Sequence, residues 1–318
     1  MPKSLAFLGA LTLLVLATAG CGRVTGDGAA EDLSARQIKI VSTTQMVTDL
    51  VERVGGDRVK VEGLMGPGVD PHLYKASEGD VIALAGADAV FYSGLHLEAK
   101  LAEVFERMGE QVHTYAVTDS IPRSRLEAPP AFKGNYDPHV WFDVSLWRFA
   151  LHQVRDDLIA LDPAHARLYR HNEAAYDRQL EALDRWVRAQ TSRVPARQRV
   201  LVTAHDAFNY FGRAYGFQVR GLQGISTASE AGTADVRDLA QFIADRRIPS
   251  IFAESSVSPR AIEAVQEAVR ARDFDVGIGG KLYSDAMGDP GTPKGTYPGM
   301  VRHNVRTIVS GLLREGNV

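Results

Sequence analysis

Two copies of Asp-Pro-His carry the clearest chemistry in the chain: Asp70-Pro71-His72 within VDPHLY and Asp137-Pro138-His139 within YDPHVW. Each is followed two residues on by an aromatic ring, Tyr74 or Trp141. The surroundings of the copies do not otherwise match, so duplication of a domain does not explain them. Proline fixes its own φ and biases the preceding aspartate toward an extended shape, so each histidine leaves the backbone in a restricted direction. Directed imidazoles suit a metal site, and they also occur in ordinary turns. Two further candidate donors follow downstream: His205, directly after RVLVTA, and Asp285 in GGKLYSDAMG. Three imidazoles and one carboxylate form a borderline donor set; imidazole suits zinc, copper, iron and nickel, and carboxylate also accommodates manganese. The six other histidines are read as structural: His152, His165, His171 and His303 on charged helices, His96 and His113 flanking a short helix.

The elements that must position these residues read as two βα series. Apolar stretches at Ile38–Thr44, Val59–Met65, Asp88–Gly94 and Val112–Asp119 predict four strands, with a helix ended by Gly55-Gly56 and another over Glu98–Gly109. RQRVLVTAH, FQVRGLQG, PSIFAESS and FDVGIGG predict four more strands, with helices near Asp206–Tyr215, Ala234–Arg246, Pro259–Arg270 and a closing helix at Tyr297–Leu313. Such alternation favours parallel sheets covered by helices. The fold class expected is therefore α/β, two lobes, each with a mainly parallel sheet of about four strands. Between them, Asp162 as N-cap and Pro163 in the first turn open a pattern in which Leu168, Asn172, Tyr176, Leu180, Leu183 and Val187 recur at helical spacing. The resulting division is a signal peptide over 1–20, a tether over 21–36, an N-terminal lobe over 37–161, a connecting helix over 162–194 and a C-terminal lobe over 195–318. Ligands in open α/β sheets bind beyond the carboxyl ends of strands, so the four candidates point toward one cleft.

The 318 residues are 45% hydrophobic and 24% charged with a formal net charge of −3, as in ordinary globular proteins. Charges are mixed along the chain, with neither a basic stripe nor an RNA or DNA motif, so no nucleic-acid partner is expected. MPKSLAFLGALTLLVLATAGCG reads as a secretory signal: one basic residue, an apolar run too short to span a membrane, and small residues before Cys21. LATAGC resembles a bacterial lipoprotein signal, which makes Cys21 the lipidated residue and places the protein outside the cytoplasm on a lipid anchor. As the only cysteine, Cys21 cannot form an internal disulfide.

The stretches GPGVDPHLY, DPHVWFD, TAHDAFNYFGRAYGF, GLQGISTASEAG, IFAESSVSP and LYSDAMG strongly resemble the zinc- and manganese-binding lipoproteins of bacterial ABC importers, the TroA type in particular. The resemblance runs from about Ile38 to the carboxyl terminus. It implies two α/β lobes joined by one long helix, with His72, His139, His205 and Asp285 as metal ligands between them. It also implies a membrane permease with its cytoplasmic ATPase as partner, and a monomer. Members regarded as manganese-specific have TSEGAF at the third ligand where this chain has TAHDAF, and dedicated zinc members often carry a histidine-rich acidic loop where this chain has IPRSRLEAPPAFKGNY. The cargo expected is Zn2+ or Mn2+, with Fe2+ also compatible; the Irving-Williams order favours zinc over manganese at equilibrium. Four protein donors argue for carriage rather than catalysis, since catalytic zinc keeps a position open for water and no HExxH is present. A metal-dependent hydrolase, a matrix adhesin and a chelate-binding protein are the other readings weighed; none uses all four donors. Asp70, Asp137, Glu230 and Glu254 are candidate partners for the second ring nitrogens.

Overall fold

The computed structural model describes residues 33–315 except 109–111 and 133. The signal segment, Cys21 and most of the proposed tether lie outside the described residues. Strand β1 (Ile38–Ser42) leads into α1 (Gln45–Gly55), then β2 (Val59–Gly63), α2 (Glu78–Ala85), β3 (Ala89–Tyr92), α3 (Ala102–Met108) and β4 (His113–Ala116). These four strands form a parallel sheet in the order β2-β1-β3-β4. After α4 (Val144–Leu161) and α5 (Ala166–Thr191) come β5 (Val200–His205), α6 (Asn209–Tyr215), β6 (Gln218–Gln223), α7 (Thr233–Arg246), β7 (Ser250–Glu254), α8 (Pro259–Arg270), β8 (Gly277–Leu282) and α9 (Tyr297–Leu313). The second sheet runs β6-β5-β7-β8, again parallel throughout. Both lobes therefore use one strand order. The two Asp-Pro-His turns nevertheless sit in the same lobe, so they are not copies of one position in that repeat.

Three sequence expectations are revised. The Glu98 helix begins at Ala102, because residues 95–100 form turns in which Leu95 and His96 have positive φ. Asp162 does not cap the connecting helix with its side chain: the carboxylate receives His165 Nδ1, the Tyr169 hydroxyl and Arg58 instead, and Pro163–His165 forms a 3-10 turn ahead of α5. The helix proper has 26 residues, about 39 Å at 1.5 Å per residue. Its apolar stripe starts at Tyr169 rather than Leu168, which is exposed. The eighteen-residue α4 was not anticipated, although Val144, Trp147, Leu151, Val154 and Leu158 are buried at helical spacing.

The described residues pack as one compact unit. One continuous core runs through both lobes: Met46 and Leu50 of α1, Trp147 and Leu151 of α4, Tyr176 and Leu180 of α5, and Tyr297, Met300 and Ile308 of α9 all belong to it. Separate smaller cores lie under the outer helices, Leu239, Ile243, Ile262 and Val265 in the second lobe and Leu84, Leu101 and Phe105 in the first. A shared, close-packed core resists large rigid-body hinging, because opening it would expose apolar surface. None of the helices among the described residues is long and apolar enough to cross a membrane.

Candidate metal centre

Each candidate side chain stands beyond or at the carboxyl end of a parallel strand, where inter-strand crevices open. His72 lies in the loop after β2, His139 in the loop after β4 just before a 3-10 turn at Val140–Phe142, His205 is the last residue of β5, and Asp285 follows β8. The two Asp-Pro-His segments do share a local device: in each, the aspartate Oδ1 accepts the histidine backbone N–H at 2.9 Å. That turn, with the proline, fixes where each imidazole starts.

The four side chains converge. His72 Nε2 is 3.3 Å from His139 Nε2, His139 Nε2 is 3.2 Å from Asp285 Oδ1, His205 Nε2 is 3.2 Å from Asp285 Oδ2, and His72 Nε2 is 3.9 Å from the same oxygen. All four residues are at most 3% exposed. Four donors arranged tetrahedrally about 2.0–2.1 Å from a zinc-sized ion would stand about 3.3–3.4 Å apart, close to three of these four separations, with the His72–Asp285 pair wider.

The outer hydrogen bonds decide what the inner atoms can be. His139 Nδ1 lies 2.7 Å from Asp137 Oδ1, and His205 Nδ1 meets a Glu254 carboxylate oxygen, whose partner oxygen accepts the His205 backbone N–H at 2.8 Å. With Nδ1 facing an anion and carrying the proton, each ring in its neutral form turns the Nε2 lone pair inward. The carboxylate oxygens of Asp285 are buried and lack a well-aligned hydrogen-bond partner, as do both ring nitrogens of His205, whose Nδ1 meets Glu254 as a close ion-pair contact. Lone pairs facing a carboxylate at this range repel unless a cation lies between them, either a metal ion or protons on the rings.

The charge balance follows the same logic. Burial pushes His139 down, but the adjacent Asp137 and Asp285 outweigh it and raise the ring to about 9. Burial likewise opposes charge on His205, and Glu254 with Asp285 hold it well above the usual imidazole range. Burial, reinforced by the two neighbouring rings and only partly offset by Asp285, lowers His72 to about 3. Burial acts to raise Asp285, and the facing His205 and His139 hold it well below the usual carboxylate range.

Three of the four outer-partner candidates touch the centre. Asp137 and Glu254 bind ring nitrogens, while Asp70 holds the backbone of His72 and reaches across to the Thr227 hydroxyl at 2.5 Å. Glu230 does not take that role, because the loop after β6 leaves it exposed and presents Thr227 to Asp70 instead. No local pattern pointed to Asn209, whose amide donates to Asp137 Oδ2 at 3.1 Å, or to Tyr210, whose hydroxyl donates to the Asp137 carbonyl at 2.9 Å. Both contacts span more than seventy residues. A second histidine and carboxylate group, His152 with Glu173 and Asp177, lies between α4 and α5. There Arg148 grips Asp177 through two nitrogens and Arg155 faces Glu173, so cations of the protein already balance those carboxylates. His165 pairs with Asp162, His303 reaches the Lys281 carbonyl, His113 is exposed and His96 borders a first-lobe cavity, all away from the four.

With this geometry in view, the family model for ZnuA, the periplasmic component A of a zinc-uptake complex, matches residues 40–311. The chain belongs to the ZnuA family. This ZnuA-family chain is 46% identical over 306 residues to the manganese-binding lipoprotein MntA of Bacillus subtilis, covering 96% of this chain and 98% of MntA. The solved periplasmic zinc binding protein TroA from Treponema pallidum superposes with a TM-score of 0.85 at 50% identity, covering 87% of this chain and 99% of TroA. The iron-binding protein YfeA of Yersinia pestis is 31% identical over 278 residues, 87% of each chain. The two-lobe α/β fold with one long connecting helix is thus like that of the TroA structure.

Proposed function

We propose that this chain is the extracytoplasmic substrate-binding lipoprotein of an ABC importer for a divalent transition metal, and that His72, His139, His205 and Asp285 hold the ion. The observation that carries this reading is the convergence of three imidazoles and one carboxylate, each offering a donor atom within 4.8 Å of the others, in a buried centre. The named cargoes of its relatives, manganese, zinc and iron, lie within the range that such a donor set accepts. Three imidazoles make zinc the tighter cargo at equilibrium; a carboxylate able to bind through both oxygens lets manganese or ferrous iron take a higher coordination number.

The hydrated ion sheds water into the cleft as His139 and His205 give up their ring protons, and Asp285 supplies the negative charge among the four donors. Four protein donors can close the shell, so the centre keeps no fixed position for an attacking water, and the role is carriage rather than hydrolysis. Substrate-binding proteins of this class deliver cargo to a membrane permease powered by a separate ATPase. In this chain a lipid on Cys21 would keep the monomeric carrier at the membrane surface. Elemental analysis of the purified protein, then zinc against manganese competition, tests the reading. Bound metal near one ion per chain that disappears in His139→Ala is the expected result; metal content unaffected by that change would overturn it.

A further inference from the structure

Asp285 poses a positional problem that its own side chain does not solve. Its oxygens lie 3.2 Å from His139 Nε2 and His205 Nε2 but have no well-aligned hydrogen-bond partner outside the centre among the described residues, so the backbone of its loop must aim them at the imidazoles. That backbone is held from the opposite lobe. Gln45, the first residue of α1 and 9% exposed, donates through Nε2 to the Gly288 carbonyl at 3.1 Å and accepts the Met287 N–H through Oε1 at 2.8 Å. On the other side of Asp285, Trp141 Nε1 donates to the Ser284 carbonyl at 3.1 Å. Beneath, Gly288 N–H donates to the Lys294 carbonyl at 2.9 Å, and a Cβ on Gly288 would come within 2.7 Å of Lys294 Cβ, so the loop lies flat on the following turn.

We propose that Gln45 is a positioning residue for Asp285, through which the first lobe aims the metal carboxylate contributed by the second. The assignment rests on the metal-carrier reading above. A primary amide suits the task, since it presents one donor and one acceptor in a fixed plane and can pair with both a peptide N–H and a peptide carbonyl. Asparagine is a methylene too short to span the same gap, and glutamate keeps the acceptor but loses the donor. Without the clasp the loop gains alternative conformations, and the cost of ordering it falls on metal binding. The loss should show mainly as faster metal release, with the three imidazoles still in place.

The test is a double-mutant cycle on zinc affinity, read by chelator competition, using wild type, Gln45→Met, Asp285→Ala and the double variant. Gln45→Met keeps the volume and removes both hydrogen bonds. About 10- to 100-fold weaker binding is expected in the wild-type background, and less than about threefold in the Asp285→Ala background, because Gln45 acts only through that carboxylate. Equal losses in both backgrounds, or no loss in the first, overturn the assignment. Gln45→Asn is read in the same way, so that a folding defect in one variant does not decide the matter, and cobalt-loaded protein supplies a second readout: altered visible absorption in the Gln45 variants supports displacement of the carboxylate. Zinc binding that is unchanged in the His139→Ala variant would instead defeat the carrier reading itself.

Discussion

The protons in the centre make a quantitative prediction. In the metal-free protein, His139 is raised to about 9 and His205 stands well above the ordinary range, whereas His72 is lowered to about 3. At neutral pH two of the three rings therefore carry an extra proton on the nitrogen that faces Asp285, and the third does not. Metal binding must expel both protons, so apparent zinc affinity should weaken about 100-fold for each unit of pH lost, or about 2.7 kcal/mol. Three unperturbed histidines would behave differently: proton release would climb from about 0.3 per ion near pH 7.5 to about 2.7 near pH 5.5. The assay is zinc titration against a chelator of known protonation behaviour across that range, with proton release followed by an indicator dye in weak buffer. A constant slope near two supports the charge arrangement. A dissociation constant that does not change with pH, or a slope that climbs as for free imidazoles, refutes it.

Other consequences follow from the same contacts. Asp137→Asn weakens the anionic anchor of His139 Nδ1 and should reduce zinc affinity about 10- to 100-fold while leaving the fold intact, checked by chelator competition and circular dichroism. His205→Glu replaces an imidazole by a second carboxylate and should shift the zinc to manganese preference toward manganese, read by competition between the two ions. Because the folded value of His139 lies above its unfolded value near about 6.5, the stability it contributes to the metal-free protein is complete below that pH and lost as pH rises through about 9. Thermal melts of metal-free protein should thus fall between those limits, and His139→Ala should flatten the fall. Zinc at about 100 times its dissociation constant should stabilise the native state by about 2.7 kcal/mol, visible as a higher melting temperature.

Much of this was legible in the chain alone. Alternating apolar strands and helical stripes marked both sheets, and the bounds of α8 and α9 match the expected spans. Local chemistry also pointed to His72, His139, His205 and Asp285, since the proline turns and strand ends that present them are encoded within a few residues. Where sequence reading faltered, competing contacts near and far in the chain had intervened. Asp162 is a good N-cap in isolation, yet the side chains of Arg58, His165 and Tyr169 take up its carboxylate in place of the helix backbone N–H groups. Glu230 and Glu254 were equal candidates until the loop after β6 left one exposed and β7 delivered the other to His205.

Residue types and spacing, by themselves, determined an exported α/β protein with a set of metal-competent side chains. Only the tertiary structure decided that their inner nitrogens converge, that Asp137 and Glu254 set which face of each ring is basic, and that Gln45 reaches across to the loop of Asp285. The physical reason is range: dihedral preferences and periodicity act over a few residues, whereas charge placement and donor geometry depend on groups up to 243 positions apart that packing alone brings together.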